Sequence, residues 1–181
     1  VIDDNFDSYT AGVQLGCQTP NWTTWSCVDC GADDGYVTTA QQYSGANSAL
    51  ITQNIDQVKI LGDLSSGVYK FSFMQFIPTG KAGYFNTLSD FTCTTGGYWA
   101  FECYFDLGGG GRLIANHVTT NFTWTAAAWK KVEVIVDLDN DAAEFYYDGV
   151  LVLAWPWTVG SSSGTGTLVI DAHDFFGATV D

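Results

Sequence analysis

The sequence predicts an all-β, antiparallel fold of the sandwich or barrel type. Apolar residues alternate with polar ones from residue 67 onward, turn residues recur between the runs, and no stretch carries a helical Leu/Ala/Glu/Lys pattern. Aromatic content of 15% and 20 glycines suit strands and tight turns. In 181 residues, 46% hydrophobic content is enough for one sizeable core. With no internal repeat and no linker, residues 1–181 read as one domain.

The elements follow in order. The chain opens at "VIDDNFDSYTAG" without an apolar leader, as a mature secreted chain does. In "GVYKFSFMQFIP", Tyr69, Phe71 and Phe73 share one face, and Lys70, Ser72 and Gln75 interrupt the run as on a half-buried strand. In "YWAFECYFD", Trp99, Phe101, Cys103 and Phe105 fall on one face, with Glu102, Tyr104 and Asp106 on the other. "GGGG" at 108–111 turns the chain into "RLIANHV", and "TNFTW" is a further short strand.

The stretch "WKKVEVIVDLDNDAAEFYYDGVLVLAW" admits two readings. Asp137, Asp139, Asp141 and Asp148 have the spacing of a helix-loop-helix calcium loop, but Ala142 stands where that loop needs Gly, and its terminal Glu and flanking helices are missing. Val132, Val134, Val136 and Leu138 alternate at period two, as do Phe145 and Tyr147, and Asp148-Gly149 is a two-residue hairpin turn. The stretch is therefore a three-stranded meander, with "DLDND" as a polar turn.

Twenty acids against six bases give a net charge of −14. Phosphate backbones and anionic membrane surfaces are repelled, so nucleic acid is excluded as a partner. No apolar run approaches the roughly 20 residues of a membrane helix. Neutral sugars, divalent cations and basic proteins remain as partners.

Five cysteines suit an exported chain. Cys93 and Cys103 flank "TTGGYWAFE" and are placed to pair across a hairpin. Cys17, Cys27 and Cys30 cluster in "CQTPNWTTWSCVDC", which leaves one over as a free thiol or for a bond to another chain. Cys27 and Cys30 form a Cys-x-x-Cys pair, but no second pair accompanies it, and His117 and His173 are isolated, so zinc is not expected. A thioredoxin-like role lacks its βαβ context.

A family likeness enters on the meander and the N-terminal half. A Trp, alternating valines, an Asp-rich turn and "EFYYDGVLV" resemble a strand pair of concanavalin A-like and laminin G-like jelly rolls. "DNFDSYTAG…PNWTTWS…DDGYVTTAQQYSGANSALI" looks like the opening of bacterial secreted jelly-roll modules related to cleaved-adhesin and MAM-type domains. The likeness covers nearly the whole chain. It implies a two-sheet antiparallel jelly-roll sandwich, concanavalin A-like, in an extracellular or cell-surface protein. It also implies a final strand after a segment like "DFFGATVD". Since the chain stops at Asp181, either that strand is short and already counted, or an open edge is left to accept a strand from a neighbouring copy. A structural calcium ion where the two chain ends meet is a further implication, with Asp4, Asp7, Asp171 and Asp174 as candidate oxygen ligands.

Catalysis is not expected. Jelly-roll glycanases of this fold carry a Glu-x-Asp-x-x-Glu strand. Here Glu102 and Asp106, and Glu133 and Asp137, alternate without the required partner, and neither His lies near a nucleophile motif. Sugar binding needs aromatic platforms beside polar groups. Trp22, Trp25, Trp99, Trp124, Trp155 and Trp157 supply the candidates, foremost Trp99, and Trp155 and Trp157 in "AWPWTVG", where Pro156 breaks the strand. The expected function is a non-catalytic extracellular binding or adhesion module for glycan or a surface protein. The rival expectation is a subunit self-assembling into a homopolymer, prompted by the odd cysteine and the open edge.

Overall fold

A computed structural model gives the structure of the chain and describes residues 3–161 and 166–177. Among these residues thirteen strands form and no helix: β1 Trp22–Thr24, β2 Tyr36–Thr38, β3 Ser48–Leu50, β4 Asp56–Leu64, β5 Val68–Phe76, β6 Gly83–Thr92, β7 Gly96–Phe105, β8 Gly110–Ala115, β9 Val118–Thr123, β10 Trp129–Asp137, β11 Ala142–Tyr147, β12 Val150–Trp155 and β13 Ile170–Phe176. Among the described residues no helix is long and apolar enough to cross a membrane. The strands make a seven-stranded sheet in the order β1-β4-β13-β6-β7-β8-β9, a four-stranded sheet in the order β12-β11-β10-β5, and a small β2-β3 ribbon. Every strand pair is antiparallel.

The expected meander is β10-β11-β12. Asp148 and Gly149 both take positive φ (49° and 79°), the backbone of a type I′ turn, which matches the strands' right-handed twist. Asn116 and His117 make the same two-residue turn between β8 and β9, so His117 is a turn residue. The "DLDND" acids serve as turn acceptors. Asp137 takes the Asn140 amide, Asp139 the Gly67 amide, and Asp141 both the amide and the hydroxyl of Thr158.

The core lies between the two large sheets. Val132, Val134, Val136, Phe145 and Tyr147 face Phe85, Phe101, Cys103, Phe105 and Leu113 across the gap. Phe85 is its centre: its ring lies 5.0 to 6.5 Å from those of Phe73, Phe101, Phe105, Phe145 and Phe175. Burial of each such ring contributes about 1.5–3 kcal/mol. His173 belongs to this core face of β13. It stands edge-on to Phe71 at 4.5 Å and meets the Thr87 hydroxyl through Nδ1 at 2.7 Å, and burial pulls its pKa down to about 3, so it stays neutral.

Two expectations are corrected here. Cys93 does not pair with Cys103. The bridges are Cys27–Cys93 and Cys17–Cys30. Cys93 sits in the β6-β7 turn, whereas Cys103 lies seven residues beyond the start of β7, roughly 23 Å along the strand, opposite Phe85. The odd thiol is therefore Cys103, fully buried, its pKa raised by that burial. A bond to another chain through it would require opening the core. Trp155 and Trp157 are likewise not platforms. They are 4% and 0% exposed, Trp155 packs edge-on against Phe101, and Trp157 donates its indole N–H to the Val169 carbonyl.

The substitution Phe85→Ala is expected to cost about 3–5 kcal/mol in denaturant unfolding, because five ring contacts are lost at one position. A thiol reagent should find no reactive cysteine in the unreduced native protein and one after guanidinium unfolding. A reactive thiol in the native state would contradict the Cys103 assignment.

Candidate functional site

The face of the seven-stranded sheet turned away from the core carries a cleft of about 440 Å³. Its floor is built by register. In β13, Asp174 stands opposite Val58 of β4 and Asn86 of β6, and Phe176 stands opposite Asp56. Phe85, Thr87 and His173 point to the core, so their neighbours Asn86 and Asp174 point into the cleft. Glu102 and Tyr104 share that side of β7, as the alternation predicted.

Trp99 breaks the predicted alternation. Thr87 pairs with Phe101 but Leu88 pairs with Trp99, so Ala100 is the extra residue of a β-bulge. Ala100 and Phe101 both turn into the core, fully buried. Trp99 consequently moves to the cleft side, off the face it was expected to share with Phe101, Cys103 and Phe105. There it stacks on Trp25, with ring centroids 6.0 Å apart and planes 22° from parallel. Trp25 is held by its own backbone: its N–H donates to the Asp56 carbonyl and its carbonyl accepts from the Thr94 amide. The Cys27–Cys93 bridge staples the same two segments together. Both indoles are half-buried and line the cleft.

A hydrogen-bonded network runs across three strands of the cleft, β13, β6 and β7. The Asn86 amide donates to Asp174 Oδ2 at 2.6 Å and to the Tyr84 hydroxyl at 3.1 Å. Tyr84 and Tyr104 both donate to Glu102 Oε1, at 3.1 and 2.9 Å. At the rim, Arg112 of β8 binds Asp106 with two hydrogen bonds of 2.6 and 2.9 Å and lies 4.3 Å over the Tyr104 ring. Burial and the adjacent Glu102 push both tyrosine hydroxyls upward in pKa, so they remain donors.

Asp56 and Asp174 form a carboxyl pair. Burial raises Asp174 to about 9, and the hydrogen bond and charge of Asp56 add to the effect. Burial raises Asp56 as well. One proton stays with the pair at neutral pH, because two adjacent buried carboxylates repel and lack water. Asn86 Oδ1, on a side chain 1% exposed, accepts from no protein donor.

The four expected calcium ligands are dispersed. Asp4 accepts from the Trp22 indole, the Tyr9 hydroxyl and the Phe6 amide. Asp7 accepts from the amides of Ala46 and Asn47, and Asp171 from the Phe91 amide. Asp174 is the one member that reaches the cleft. No group of three or more His, Cys, Asp or Glu side chains fit to hold a metal ion occurs among the described residues. Glu133 and Asp137, the other pair weighed for catalysis, lie on β10 in the four-stranded sheet, and Glu133 pairs with Lys70 and Lys131. Asp56 and Asn86 were not expected in a site, whereas Trp25 was among the aromatic candidates. Asp56 and Asn86 stand 30 positions apart in sequence, and no local pattern marks them.

A scan of protein-family models finds none that matches, and no curated protein matches in sequence. Among solved structures the chain is similar to a sialidase, with a TM-score of 0.62 and 14% identity over 96% of this chain. It spans 14% of the length of that sialidase chain. It is also similar to the globular domain of T. cruzi calreticulin, with a TM-score of 0.53 and 9% identity over 91% of this chain and 81% of that one. At these identities the likeness shows the fold, a two-sheet antiparallel jelly-roll sandwich.

The raised Asp174 sets a pH dependence. Its folded pKa of about 9 stands above an unfolded value of about 3.9, so the folded chain holds a proton that the unfolded chain releases. The stability contribution is complete below about pH 4 and is lost as pH rises through about 9. Asp174→Asn, which mimics the protonated acid, should shrink the loss of unfolding free energy between about pH 5 and about pH 9 by more than about 1 kcal/mol. An unchanged loss would show that the pair does not share a proton.

Proposed function

We propose that the chain is a non-catalytic carbohydrate-binding module of a secreted or cell-surface protein, and that the cleft is where it binds. The observation that carries this reading is the stacked Trp25–Trp99 wall beside the polar floor of Asp56, Asn86 and Asp174. A sugar ring has an apolar C–H face and an equatorial belt of hydroxyls. Indoles receive the first, and carboxyl and amide oxygens the second. The two disulfides fit an oxidising compartment, and the resemblance to secreted jelly-roll modules supports the same setting. The match to a small share of a sialidase fits a module carried beside a glycan-acting enzyme.

Hydrolysis is disfavoured by how the acids are engaged. Glu102 Oε1 is capped by two tyrosine hydroxyls. A second reading, a subunit assembling by strand addition, draws on β12, an edge strand with Val150 and Leu151 67% and 49% exposed. A native mass of one chain at high concentration removes that reading.

A polysaccharide panel run by affinity electrophoresis should show retardation by at least one polymer without release of reducing sugar. Trp99→Ala and Trp25→Ala should each weaken that binding by about tenfold or more, as loss of a buried aromatic anchor does. Trp155→Ala should lower the melting temperature and, at temperatures where the variant stays folded, leave the affinity intact. Binding that survives both cleft substitutions would place the sugar elsewhere.

A further inference from the structure

We infer that the cleft takes uncharged sugars and turns away carboxylated ones; this rests on the carbohydrate-binding reading of the same site. Charge placement is the first argument. Among the described residues no Lys or Arg lines the cleft, whereas Asp56, Asp106 and Asp174 do, and Glu102 lies between the two lining tyrosines. The cation at the rim is already engaged. Arg112 spends Nε and Nη2 on the two oxygens of Asp106, with its guanidinium plane laid over Tyr104. Bidentate Arg pairing is the usual way a protein takes a carboxylate, and here that fork is filled from within the chain.

Donor accounting is the second argument. Both protons of the Asn86 amide go to protein acceptors, and both tyrosine hydroxyl protons go to Glu102. Three buried oxygens of the cleft residues, Asn86 Oδ1, Asp56 Oδ1 and Asp174 Oδ1, accept from no protein N–H or O–H group, and Asn86 Oδ1 is an acceptor that waits for a donor. A sugar hydroxyl supplies one, and a ligand carboxylate cannot. The Asp56–Asp174 pair works in the same direction, since a site that already suppresses one of its own two charges is a costly place for another.

The test uses the whole chain and matched ligands: polygalacturonate against the same polymer after carboxyl reduction, and alginate beside galactomannan, xyloglucan and mixed-linkage β-glucan. Binding to at least one neutral polymer is expected, with carboxylated polymers bound about tenfold more weakly or not at all. Added salt should narrow the gap by screening. Asp106→Asn, at the exposed rim, releases the Arg112 fork and should narrow it by about threefold or more at constant salt, with the melting curve recorded to confirm folding. Binding of polygalacturonate as tight as that of its reduced form overturns the inference while the carbohydrate-binding reading stands. Loss of neutral-sugar binding in EDTA also overturns it, because the acids would then be holding a cation that receives ligand carboxylates. Binding to none of these polymers removes the underlying reading and the inference with it.

Discussion

The insertion of β13 between β4 and β6 is the constraint on which the rest of this molecule depends. It is the last strand described, yet it lies near the middle of the seven-stranded sheet. Its backbone satisfies both neighbours at once, and its alternate side chains serve two purposes. His173 and Phe175 complete the core, standing against Phe71, Phe73 and Phe85. Asp174 points the other way and completes the cleft floor with Asp56 and Asn86. A slip of one residue in this pairing would put a carboxyl in the core and an imidazole in the cleft. The register of one strand thus joins folding to the site.

The second device is the bulge at Ala100. A regular β7 would place Trp99 inside with Phe101, Cys103 and Phe105. One extra residue reverses the side chain and re-aims a large aromatic at solvent, where Trp25 meets it. The Cys27–Cys93 bridge and the two backbone hydrogen bonds of Trp25 fix the other half of that wall. The wall therefore rests on a strand and a stapled loop, which keeps the two indoles stacked and would lower the ordering cost of the proposed binding.

The polar floor has a cost that the sandwich must offset. Asp174 is 4% exposed and Asn86 1%, and a carboxyl pair in that setting keeps a proton that water would remove. Apolar residues there would stabilise the fold more. Retained buried polar groups that line an open cleft are the pattern expected where stability is given up for recognition.

By itself the sequence determined the fold class, the β10-β11-β12 meander, the Asp148-Gly149 turn and the core faces of β5, β10 and β11. The reason is local: alternation of period two and turn chemistry act over a few residues and are written in order along the chain. The outward placement of Glu102 and Tyr104 was legible for the same reason. Disulfide pairing, the fate of each tryptophan and the composition of the cleft were decided by tertiary structure. Cys27 finds Cys93 over a separation of 66 residues. Trp155 and Trp157 are buried because a second sheet covers them, and Trp99 is turned out by a bulge that no residue type announces. Asp56, Asn86 and Asp174 lie 30 to 118 positions apart and become neighbours only through cross-strand hydrogen bonding, which a linear pattern of apolar and polar residues does not encode.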